Sequence, residues 1–73
     1  MNSIYLLTFY QYDYYEWEYV VGASLDREVL EALWKTLDYP LVDDEQHKLY
    51  AKQQNSHYVI VEMKLEPELE NTI

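Results

Sequence analysis

The chain has 73 residues, with fourteen acidic and five basic side chains, a formal net charge of -9, nine tyrosines and no cysteine. Such a charge repels nucleic acid and anionic membranes and attracts basic protein surfaces; the lack of cysteine excludes disulfides and thiolate metal sites. A hydrophobic fraction of 49% is too high for a disordered acidic chain, and no apolar run approaches the roughly 20 residues a membrane span needs.

One domain with a thin core is expected, because a chain this short buries only about 60% of its unfolded surface. Self-association is one way to complete such a core. Met1-Asn2-Ser3-Ile4 lacks the basic start of a secretory signal, so a soluble, cytoplasmic protein is expected. Residues 1–45 carry ten acids against two bases, whereas residues 46–73 carry four against three. The acidic surface therefore belongs mainly to the first two-thirds of the chain.

Ser3 to Tyr12 is β-branched and aromatic and reads as a strand. Both of its alternating sets are apolar, Ile4, Leu6 and Tyr10 against Tyr5, Leu7 and Phe9, as in a central strand covered on two sides. Asp13-Tyr14-Tyr15 makes the turn into a second strand, Glu16 to Ala23, where Trp17, Tyr19, Val21 and Ala23 share a face opposite Glu16, Glu18, Val20 and Gly22. Gly22, the only glycine, marks a bulge or the strand's exit. Asp26 is an N-cap, with Leu25 and Leu30 spaced as a hydrophobic staple across it. Val29, Leu30, Leu33, Trp34 and Leu37 form one helical stripe. Glu31 and Lys35 are an i,i+4 pair, and Pro40 ends the helix.

Asp43 with Gln46 resembles a capping box, and Asn55 suits a left-handed stop, which together suggest a short helix over 44–53. The alternative is a strand from His47 to Lys52. His57 to Leu65 alternates as a strand, and residues 66–73 read as an acidic, disordered tail. The order ββαβ or ββααβ gives an α+β domain over 1–65. Its antiparallel three-stranded sheet has order 2-1-3 with a helix on one face. Val59, Val61, Met63 and Leu65, with Trp17, Tyr19 and Val21, are expected beneath the helix. Glu16, Glu18, Val20, Tyr58, Ile60 and Glu62 are expected on an open face, the usual mark of an interface.

Several stretches carry a resemblance: the tyrosine-rich start Ile4-Tyr5-Leu6-Leu7, the acidic hairpin, the strand running into a capped helix (Tyr19-Val20-Val21-Gly22-Ala23-Ser24-Leu25-Asp26-Arg27-Glu28), and the last strand Tyr58 to Glu66. In pattern the chain resembles small acidic proteins encoded by phages and mobile elements, over most of its length except 39–56. The resemblance implies an inhibitor of a bacterial defence system, of the anti-CRISPR or DNA-mimic type, working in the cytoplasm of a bacterial host. It transfers no site residue.

Asp13, Glu16, Glu18, Glu28, Glu31, Asp38, Asp43, Asp44 and Glu45 are the candidates for a phosphate-like track, which must be spread along a ridge to imitate a duplex. Solubility of a small, sticky protein is the plain alternative. Tyr14, Tyr15 and Trp17 are the candidate anchors, since Tyr and Trp dominate binding energy; strand packing is their plain alternative. The expected partner-binding set is thus Tyr14, Tyr15, Glu16, Trp17, Glu18, Glu28, Glu31, Asp43, Asp44 and Glu45. Asp43, Asp44, Glu45 and His47 match no calcium or zinc spacing. His47 and His57 stand near no recognisable nucleophile, and one glycine permits no phosphate loop. A non-enzymatic protein without cofactor or metal is expected, binding a basic, nucleic-acid-binding host protein and no nucleic acid or membrane directly. The second expectation is a homodimeric structural or adaptor module whose acids serve only solubility.

Overall fold

The computed structural model describes residues 2–65. Strands β1 (Asn2–Gln11), β2 (Trp17–Ser24) and β3 (His57–Leu65) form one antiparallel sheet of order β2-β1-β3, with helices α1 (Arg27–Trp34) and α2 (Asp44–Lys52) between β2 and β3. The expected α+β architecture and strand order are both present. The expected disordered tail, 66–73, lies outside the described residues. Among the described residues no helix is long and apolar enough to cross a membrane.

The two helices cover opposite faces. β1 pairs with β3 so that Leu7 faces Ile60 and Phe9 faces Tyr58. These four and Leu30 of α1 form the buried core cluster, bordered by Tyr5, Trp34, Leu37, Tyr39 and Leu41. Phe9 carries much of the aromatic packing, with ring centroids 4.5 Å from Tyr58, 5.2 Å from Tyr39 and 5.7 Å from Tyr19. Alternation then places Tyr10, Thr8, Leu6 and Ile4 on the other face with His57, Val59, Val61 and Met63. There α2 reaches only the Tyr10–His57 end, through His47 and Tyr50.

This reverses the expected faces of the third strand, while Tyr19 on the α1 side and Glu18 and Val20 opposite it are as expected. Tyr58 and Ile60 lie beneath α1, and Val59, Val61 and Met63 lie opposite, because the β1–β3 register sets the phase of β3. The second strand does not keep one phase either. Leu7 pairs with Gly22 but Thr8 with Val20, so Val21 is an extra residue in a bulge. Tyr19 consequently faces Phe9 and α1, while Ala23 pairs with Leu6 on the opposite face. Gly22 fits beneath the helix, since a Cβ there would stand 3.0 Å from a terminal methyl of Leu33.

Asp26 caps α1 by accepting from the Glu28 amide at 3.0 Å. The helix stops at Trp34, earlier than the stripe to Leu37 suggests. The Thr36 hydroxyl donates to the Leu33 carbonyl, the Thr36 and Leu37 amides form tight turn bonds, and the Trp34 indole donates to the Tyr39 carbonyl. Side-chain bonding of this kind competes with the helix ladder. The staple is not formed, because Leu25 is 71% exposed. Glu31 pairs with Arg27 at 3.0 Å rather than with Lys35.

The expected short helix is present over Asp44–Lys52, one residue shorter than 44–53, with Asp43 accepting from the Gln46 amide at 2.8 Å. The left-handed stop is Gln54 (φ 60) rather than Asn55. The Asn55 amide donates to the Tyr50 carbonyl and the Gln54 amide to the Ala51 carbonyl, closing a Schellman motif. Before α2, the segment 40–42 lies along β3, where Leu41 bridges to Tyr58 and buried Val42 donates to the Tyr58 carbonyl.

Candidate functional site: an acidic, aromatic hairpin end

β1 and β2 are joined by residues 12–16, which contain no glycine. What holds this connection is a carboxylate. Asp13 accepts from the Tyr39 hydroxyl at 2.7 Å and from the Ser56 hydroxyl at 3.3 Å, while the Ser56 oxygen accepts from the Tyr12 amide at 2.9 Å. The hydrogen bond to Asp13, with that carboxylate's charge, pushes the Tyr39 phenol above its ordinary value. Asp13 is therefore a structural clamp between the hairpin, the 36–41 loop and the start of β3.

Beyond that clamp the side chains point to solvent. Tyr14 is 88% exposed, Tyr15 69% and Trp17 55%. Tyr15 and Trp17 meet edge to face with ring centroids 6.3 Å apart. Tyr10, Tyr12, Glu16, Trp17 and Glu18 line a shallow, open cleft. Glu16 and Glu18 make no side-chain hydrogen bond or ion pair among the described residues, so their lone pairs face water. Burial, and then the charges of Glu18, Tyr12 and Asp44, raise the Tyr10 phenol; burial with Glu16 and Glu18 raises Tyr12. Both remain neutral hydroxyl donors at physiological pH. Aromatic faces beside two unpaired carboxylates suit a guanidinium or ammonium group, which gains a π-face and a counter-charge together.

The ten expected partner residues divide. Tyr14, Tyr15, Glu16, Trp17 and Glu18 are adjacent and exposed. Asp43, Asp44 and Glu45 start α2, where Asp43 is occupied as the N-cap. Glu28 and Glu31 lie on α1, over the other face of the sheet, and Glu31 is engaged by Arg27. The carboxylates thus form patches on two sides of the molecule. Tyr10 and Tyr12, outside the expected ten, join the cleft. Their signal was the two-residue spacing that carries the Tyr10 side of β1 on to Tyr12 just past its end, with Glu18 paired across from Tyr10.

Behind the cleft lies a second feature that local sequence pattern does not reveal. His57, with no exposed surface, sits with its Nε2 2.7 Å from His47 Nδ1 and its Nδ1 2.7 Å from the Asn55 carbonyl. Tyr10 and Tyr12 stack on the His57 ring at 5.2 and 6.1 Å. Burial holds the His57 imidazole below the ordinary histidine value, which the Asn55 hydrogen bond partly offsets. Among the described residues, no three His, Cys, Asp or Glu side chains converge as for a metal ion. No protein-family model matches the chain, and neither a curated protein nor a solved structure matches it significantly.

Proposed function

We propose that this protein is a non-enzymatic inhibitor that docks its hairpin end on a basic, nucleic-acid-binding surface of a bacterial host protein in the cytoplasm. A defence-system nuclease or its RNA-guided complex, as for anti-CRISPR proteins and DNA mimics, is the most concrete partner. The observation that carries this reading is the cleft, with exposed Trp17 and unpaired Glu16 and Glu18 on a chain of net charge -9. Trp17, Tyr14 and Tyr15 anchor the contact, Glu16 and Glu18 receive a basic side chain, and the net charge steers encounter. Asp44 and Glu45 extend the acidic edge, while Glu28 and Glu31 contribute only to the long-range field.

The test is capture of partners from bacterial lysate on the tagged protein, washed over a salt series. The wild type should retain a nucleic-acid-binding protein that is released at high salt and displaced by added DNA. Glu16→Lys with Glu18→Lys should abolish capture, and Trp17→Ala should weaken it by about 2 kcal/mol, roughly 30-fold. Capture unchanged by all three substitutions would overturn the assignment.

A homodimeric module is favoured by a separate observation. Val20 and Met63, on the face opposite α1, are 52% and 50% exposed, and Leu6 and Val61 beside them are only partly buried. Concentration-dependent sedimentation without salt dependence would support that reading and leave the acids as solubilising charge.

A further inference from the structure

The two histidines lie on different elements, and together they join α2 to the sheet. α2 has no fully buried residue. Its sheet-facing rings are His47, 4.5 Å from Tyr10 and 4.9 Å from His57, and Tyr50, edge-on to His57 at 5.4 Å. Among the described residues, the one side-chain hydrogen bond from α2 to β3 is the His47–His57 contact at 2.7 Å. The bond's polarity follows from its surroundings. The Asn55 carbonyl can only accept, so His57 Nδ1 carries a proton. In the neutral ring Nε2 is then an acceptor, and His47 Nδ1 donates to it.

This arrangement holds one added proton but not two. A first proton can enter at His47 Nε2 and leave the Nδ1–H donation intact. A second must enter at His57 Nε2, where two N–H groups would face each other across the 2.7 Å contact with two like charges in a buried site. We propose that the His47–His57 pair is a proton-operated latch: acidification to the doubly protonated pair releases α2 from the sheet, while α1 and the three strands stay folded. The titratable and charged groups around the pair are Tyr10 on β1 and Tyr12 just after it, Glu18 paired with Tyr10 on β2, and Tyr50, Asp44 and Lys48 on α2, with Asp13 reached through Ser56. None of them replaces the acceptor that His57 Nε2 loses on protonation.

Release uncovers Tyr10 and His57 on the face whose far half is already open around Val20 and Met63. The sign is fixed by chemistry: the latch is closed above the ordinary histidine value of 6.5 and opens as the pH falls through the lower value of folded His57.

The test is proton NMR of the whole chain between pH 7.5 and 4.5. Ring-to-ring cross-relaxation between Tyr10 and His47 reports the latch, and Phe9–Tyr19 reports the α1 side. The Tyr10–His47 signal should be lost on acidification while Phe9–Tyr19 persists. In His47→Asn, the amide can turn either its nitrogen or its oxygen to His57 Nε2. Contacts between Tyr10 and the side chain at 47 should then survive to pH 4.5. Persistence of the wild-type Tyr10–His47 signal at pH 4.5, simultaneous loss of both signals, or an equal loss in His47→Asn would overturn the latch.

Discussion

The two helices sit on opposite faces of one sheet and are held by different chemistry. α1 is attached by burial of an aliphatic side chain: Leu30 enters a cluster of Leu7, Phe9, Tyr58 and Ile60 that joins the helix to the central and third strands. α2 buries no residue completely and is attached by rings, one histidine–histidine hydrogen bond and well-formed caps at both ends. Dispersion and water exclusion do not depend on pH, whereas a hydrogen bond between two titratable rings does. A domain of this size is expected to have roughly 4–11 kcal/mol of stability in all, so where each helix draws its support decides which part opens first.

The comparison can be broken most strongly at Leu30. Leu30→Ala should cost about 2–5 kcal/mol and lower the urea midpoint of the entire domain, with Trp fluorescence and amide signals of all three strands moving together. A loss confined to α1 would refute its place in the common core. The caps sharpen the contrast with a smaller effect. Asp26→Ala and Asp43→Ala should each remove about 1 kcal/mol of helix stability. The first should lower global stability by that amount; the second should chiefly raise amide exchange within α2 at pH 7.5. Equal global effects from the two would show that both helices are coupled to the core alike. The smallest effect is expected at Gly22→Ala. Gly22 does not have positive φ, and the atom its Cβ would meet is the far end of partly exposed Leu33. The reduced freedom of the unfolded chain offsets that contact, so stability should stay within about 1 kcal/mol of the wild type in the same urea titration.

The strands and their order were legible because alternation and connection length are local. His57–Leu65 matches its pattern at both ends, and a hairpin followed by a helical crossover leaves few places for the third strand. The face of the third strand was not legible. Both of its alternating sets are apolar at their start, and only pairing with β1 decides that Tyr58 and Ile60 turn toward α1. Gly22 did signal the bulge beside it, but not its effect on the faces, because one extra residue, Val21, reverses every side chain beyond it. The exposed part of the candidate site, Tyr14 to Glu18, was readable since its members are neighbours in the chain. The division of Glu28 and Glu31 from Asp44 and Glu45 was not, because it depends on which face each helix takes. The histidine pair bridges ten positions and two elements, and nothing in local spacing distinguishes it from two solvated side chains.

The bulge in β2 has a consequence for crowded solutions. β2 is an edge strand, and its outer row of amides and carbonyls faces no neighbour among the described residues. A flat edge of that kind templates the addition of strands from other molecules. Here the ladder is interrupted in the middle of the strand, between Val20 and Gly22, and an unpaired glutamate stands near its start. A foreign strand approaching β2 meets no continuous register and a negative charge at the point of entry. The irregularity that misleads a two-residue periodicity thereby also makes the β2 edge a poor template for an added strand.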